Sequence, residues 1–229
     1  TELYEWSAAA GVWAPLHAWR ALGQLRAESA VEPLLQLLDR IDEYGNDWAQ
    51  EDLPQVFGLI GPAAMPELRG FLADAKQGEW ARIAAGGGLA AIVERFPESR
   101  EEAAGILTDQ LRHFGEQERT VNAYLVSLLC DLKAVESAAV IEQAFAAGAV
   151  DLSVQGDWEE AQIRLGLIDK RSTPAPNFFE AEFGLHLPSG GPPLPGRQRV
   201  GHPAGRQSDK QKKAKRKQAK AARKRNRKR

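Results

Sequence analysis

Apolar residues recur through residues 12–168 at the 3.6-residue spacing of helices, in short stripes separated by Gly, Pro and charged loops. The clearest unit runs from Asp47 to Asp74. Ala49, Leu53, Val56, Phe57 and Ile60 form one stripe, and Met65, Leu68, Phe71 and Leu72 form a second. Between them, Gly61 suits a turn that ends a helix, and Pro62 suits the first turn of the next. Pro54 inside the first stripe predicts a kink, because it removes one internal hydrogen bond. The other stripes follow the same plan. Pro15 opens a helix with Ala18, Ala21, Leu22 and Leu25 on one face, followed by Val31, Leu34, Leu35, Leu38 and Ile41. A helix from Trp80 passes through Gly86, Gly87 and Gly88; Ser99 and Glu102 then stand at capping-box spacing ahead of Ala104, Leu107, Leu111 and Phe114. Val121, Leu125, Leu128, Leu129 and Leu132 precede Val140, Ile141, Ala144 and Phe145. Asp157 is placed to cap a closing helix with Trp158, Ala161, Leu165 and Ile168 on one face. The expectation is four helix pairs and a closing helix, all-α.

The pairs repeat. Trp-Ala heads three of the predicted first helices, at Trp13, Trp48 and Trp80, spaced by 35 and 32 residues. LRAESAV from Leu25 is echoed by LKAVESA from Leu132, and SAVEPLLQLL from Ser29 by AAMPELRGFL from Ala63. Residues 12–168 therefore resemble the HEAT-like repeat family, in particular the short bacterial HEAT-like repeats also found in phycobilin lyases. The resemblance implies an α-solenoid in which the second helix of each pair lines a concave face. On that face the exposed positions Gln36, Arg40, Arg69, Arg112 and Gln143 are the candidates for contact with a protein partner. The family serves many unrelated partners, so the resemblance is silent on chemistry. The repeated tryptophans are expected in the core, with Trp19 as one that faces outward.

Charge divides the chain. Residues 1–196 hold 14 Lys+Arg against 30 Asp+Glu; residues 197–229 hold 16 Lys+Arg against Asp209 alone. The overall net charge of −1 conceals this division. Seven of the 13 prolines lie beyond Ser172, which marks 172–205 as an extended linker; within it, NFFEAEFGLHL (177–187) is apolar enough to dock. The expected division is a helical body over 1–171, this linker, and a basic tail over 206–229. The tail has no aromatic or large aliphatic residue, so it builds no core and is expected to be disordered when free. Its candidates for phosphate contact are Lys210, Lys212, Lys213, Lys215, Arg216, Lys217, Lys220, Arg223, Lys224, Arg225, Arg227, Lys228 and Arg229. RNA, ribosome or DNA is the expected partner, bound without sequence readout. The rival is a tail that folds back on the acidic body.

Enzyme chemistry finds little support. None of His17, His113, His186 and His202 sits in an HExxH motif or precedes a glutamate, so no metal site is expected. Cys130, the lone cysteine, excludes an internal disulfide and reads as a buried, inert thiol. The three consecutive glycines lack phosphate-loop spacing and point to close packing or a hinge. The acidic stretch Asp39, Asp42, Glu43, Asp47, Glu51 and Asp52 fails the calcium-loop pattern; it reads as a solvated face or a site for a basic partner. A bilin-lyase-like role and a HEAT-like DNA glycosylase remain as rivals. The first lacks a residue set, and the second needs a basic groove. No cofactor is expected. No apolar run approaches the roughly 18 residues that span a bilayer, and residues 1–12 lack a basic region followed by an apolar core. A cytoplasmic interaction protein, not an enzyme, is the expectation.

Overall fold

The computed structural model describes residues 13–44 and 47–176, with the backbone alone described at 39–44 and 47. These residues lie within one compact unit, 1–181. They form ten α-helices and no strand: α1 (Ala14–Gln24), α2 (Val31–Tyr44), α3 (Asp47–Ile60), α4 (Met65–Ala73), α5 (Glu79–Arg95), α6 (Arg100–Leu111), α7 (Arg119–Asp131), α8 (Ala138–Ala146), α9 (Leu152–Gln155) and α10 (Trp158–Leu165). The order helix, 3₁₀ turn, helix occurs four times. The four turns begin at Glu28, Pro62, Pro97 and Val135, and each closes on a small buried residue, Ala30, Ala64, Ser99 and Ser137. A small side chain there lets the second helix start directly against the core.

Odd-numbered helices pack on one another in chain order: α3 lies on α1 and α5, and α7 on α5, with α10 beyond. Among the even-numbered helices, α4 touches α2 and α6, and α6 touches α8. Helix α5 is the centre. It packs on α2, α3, α4, α6 and α7, and Ala81, Ile83, Ala84, Ala85, Leu89, Ala91 and Ile92 bury nearly its whole circumference. Small residues make this possible. A Cβ at Gly86 would stand 3.2 Å from Leu128, and one at Gly88 would stand 3.2 Å from Leu68. Gly86 and Gly88 thus serve close packing, whereas a Cβ at Gly87 would make only an ordinary contact with Pro54 at 3.6 Å.

The stripes of α3 and α4 are buried as their spacing predicts, with Leu53, Phe57, Met65 and Leu68 fully enclosed. Gly61 adopts φ +95°, and a Cβ there would meet the Phe96 ring at 2.8 Å. The echo between Leu25 and Leu132 is structural too. Arg26 and Lys133 are the two described non-glycine residues with positive φ, and each follows its helix into the same left-handed turn. In α1 the face differs from expectation. Ala18, Ala21 and Leu25 are exposed, while Leu16, Trp19 and Gly23 point inward. Gly23 explains the rotation: a Cβ there would lie 3.2 Å from Val56 and Leu59, so α1 approaches α3 along its glycine. Ser99 also differs. It accepts no capping hydrogen bond, because the 3₁₀ turn runs on into α6 and supplies the helical entrance itself.

Beyond α10 the chain turns back. Arg171 pairs with Asp157, and the amides of Ser172 and Thr173 donate to the Glu159 carboxylate at 2.7 and 3.2 Å. These contacts involve Ser172 and Thr173, the first residues of the stretch 172–205. Residues 1–12 and the stretch 177–187 lie outside the described residues.

Candidate docking faces

The odd-numbered helices carry an aromatic edge. Trp13 precedes α1, while Trp48 and Trp80 lie in the first turns of α3 and α5; they are 47%, 44% and 37% exposed. This corrects their assignment to the core. Ala49 and Ala81 are the buried members of their Trp-Ala pairs. The neighbouring position on a helix is rotated by about 100°, so burying the alanine turns the tryptophan outward. Trp13 and Trp48 lie with ring centroids 4.7 Å apart, and Trp80 meets Tyr124 of α7 edge-on at 6.0 Å. Trp19, expected outside, is buried; its indole N–H donates to the Asp52 carboxylate at 2.5 Å, which Arg20 also grips. Next to this edge an open groove of about 350 Å³ runs across α3, α5 and α7, lined by Gln50, Glu51, Pro54, Ile83, Ala84, Gly87, Tyr124 and Leu128.

The even-numbered helices carry the positions proposed from the sequence. Gln36 on α2, Arg69 on α4, Arg112 after α6 and Gln143 on α8 are exposed. The side chain of Arg40 lies outside the described residues. Among the described side chains of this set, Arg69 and Arg112 alone come together. Both reach Asp109, Arg69 at 3.9 Å, beside a depression of about 140 Å³ that also involves Ile106, Gln110 and His113. Two arginines around the single Asp109 carboxylate leave this spot weakly positive. Gln36 and Gln143 do not join it.

Between the pairs lies a polar seam that pattern reading missed. Arg82 is 3% exposed; its Nε donates to the Leu72 carbonyl at 3.0 Å, and its guanidinium reaches Gln117 and Glu118. Asn122, fully buried, donates to the carbonyls of Phe114 and Ala149 and accepts from Gln117. Arg100 donates to the carbonyls of Leu132 and Lys133 and pairs with Glu136. Each side chain closes carbonyls at the end of another helix or in a loop. The signal was present: Gln50 and Arg82 stand two positions after Trp48 and Trp80, and Asn122 stands in the same place on α7.

Cys130 is buried, with its thiol toward the Ala161 carbonyl, and burial pushes it up to about 11. His17 and His113 are exposed, and His113 lies 3.6 Å from Glu116. Of the acidic stretch, Glu51 is exposed and Asp52 is held by Arg20 and Trp19; the side chains of Asp39, Asp42, Glu43 and Asp47 lie outside the described residues. Among the described residues no three His, Cys, Asp or Glu side chains stand where they could share a metal ion, and no helix is long and apolar enough to cross a membrane. All thirteen tail positions, Lys210 to Arg229, also lie outside the described residues. Comparison with protein-family models, with curated proteins and with solved structures finds no match.

Proposed function

We propose that this chain is a non-enzymatic interaction scaffold: a HEAT-like helical-repeat body that holds a protein partner, joined to a basic tail that binds RNA, ribosome or DNA without reading sequence. The fourfold order of helix, 3₁₀ turn and helix, with turns starting 34, 35 and 38 residues apart, supports the repeat reading. The observation that carries the functional reading is the charge division. Sixteen basic residues face a single acid after residue 196, whereas the preceding chain has a large excess of acid. A polyanion is repelled by such a body and attracted by such a tail.

Titration of the full chain and of a chain lacking 206–229 against a generic single-stranded RNA, across a salt series, tests this. If the tail neutralises about eight phosphates, log K falls against log salt with a slope of roughly −6 to −7. Deletion of the tail abolishes binding. Tight binding without the tail, or an affinity indifferent to salt, overturns the reading. Capture of the full chain from lysate with nuclease present tests the protein-binding half separately.

A further inference from the structure

We propose that the groove across α3, α5 and α7 is the docking site of the body, and that its occupant is an extended basic segment of a partner protein with an aliphatic side chain between lysines or arginines. The proposal rests on the scaffold reading and names its face and its ligand chemistry. The face is that of the odd-numbered helices, opposite in kind to the one expected from the repeat resemblance.

Three observations converge. The floor is apolar, formed by Pro54, Ile83, Ala84, Gly87 and Leu128, and it takes an aliphatic group out of water. Pro54 lies inside α3 and has no N–H, so the Gln50 carbonyl lacks the amide it would otherwise receive one turn on. Gln50 lines the groove and is half-buried, and its side-chain amide both donates and accepts. A segment's backbone N–H or carbonyl finds a partner in that amide.

Charge supplies the third. Glu51 is exposed in the lining, and no lysine, arginine or histidine stands among the described residues that line the groove. A cation is attracted there and meets no like charge, while a phosphate is repelled. The ring of Tyr124, with Trp80 edge-on to it, adds a face over which a guanidinium or ammonium can lie. Helices pack about 8–10 Å apart, so the route from α3 over α5 to α7 is roughly 16–20 Å, about five or six residues of extended chain.

The experiment uses the full chain and a fluorescein-labelled peptide of alternating lysine and proline with one central leucine, followed by anisotropy. Saturable binding is expected. Glu51→Lys weakens it at least tenfold, Tyr124→Ala weakens it too, and a peptide with glutamate for lysine does not bind. Glu51 is exposed, so an unchanged melting curve for Glu51→Lys separates lost docking from lost fold. Arg69→Ala and Arg112→Ala, on the other helix row, leave the affinity unchanged. Absence of binding by the basic peptide, or binding indifferent to Glu51→Lys, overturns the proposal, as does a groove closed by a second copy of the chain, seen as a dimer that Glu51→Lys dissociates. A captured partner retained by Glu51→Lys would overturn the groove and spare the scaffold reading; failure to capture any partner would count against the scaffold itself.

Discussion

The Nε of Arg82 donates to the backbone carbonyl of Leu72 at 3.0 Å, so the first turn of α5 closes the last turn of α4. The same guanidinium reaches Gln117 and Glu118 ahead of α7, and one side chain ties α4, α5 and the loop before α7. Arg82→Met keeps much of the aliphatic stem and removes every donor. The buried Leu72 carbonyl and Gln117 then lose charged partners, a cost of about 2–4 kcal/mol. Equilibrium urea unfolding checks this. A loss below about 0.5 kcal/mol would show that water replaces the arginine.

Leu107 is fully buried and Trp48 is 44% exposed, although both belong to the repeat pattern. Leu107→Ala is expected to cost about 2–5 kcal/mol. Leu35→Ala belongs to the same class, and Leu128→Ala falls lower because Leu128 is only half-buried. Gln36→Ala, at an exposed site, is expected to stay within about 0.5 kcal/mol. Trp48→Ala removes one partner of the Trp13 pair and costs about 0.5–1.5 kcal/mol from that contact. A Trp48→Ala loss as large as that of Leu107→Ala would mean that the aromatic edge is structural.

Glu159 accepts from the backbone and hydroxyls of Ser172 and Thr173, and these hydrogen bonds hold its carboxyl at about 2. Asp157 is lowered as well, first by its hydrogen bonds from Arg171. Both folded values lie below those of the unfolded chain, so the fold-back of 166–176 is fully favoured above about pH 4.3 and is lost as pH falls toward 2. Amide exchange at Ser172 and Thr173 across that window follows the loss. Glu159→Gln removes most of the pH dependence; a profile unchanged by it contradicts the assignment.

Cys130 should be silent toward thiol reagents in the folded state. With its thiol at about 11, the thiolate fraction at pH 8 is roughly one in a thousand, and burial blocks access besides. A disulfide reagent should react at the rate at which the chain opens, and rapidly in denaturant. Fast labelling without denaturant would mean that the α7–α10 contact opens readily.

Much of the helical plan was legible because leucine and phenylalanine stripes have one sensible orientation. The α3 series from Ala49 to Ile60 is buried in full. Helix α1 was misread because alanine and tryptophan are ambivalent: Ala18 and Ala21 tolerate water, and Trp19 enters the core once Asp52 takes its indole N–H. The Trp-Ala heads revealed the period but not which residue faces in. Arg82 and Asn122 escaped because a polar residue inside a stripe reads as an exception, and its carbonyl partners are 10 and 27 residues away. The groove was illegible for a simpler reason. Its lining comes from three helices between Gln50 and Leu128, and no local pattern brings them together.

The contact between α3 and α5 is the most extensive of any helix pair in the fold. Only α4, the 3₁₀ turn before it and a short loop after it separate the two, so little chain must be looped to join them, and assembly can begin there. Growth toward α1 on one side and α10 on the other then adds one neighbour at a time. The order of loss reverses the order of growth. The amides of α5 should be the last to exchange with solvent, and those of α1 and α10 the first. A molecule built this way is anchored at its middle and opens from its ends.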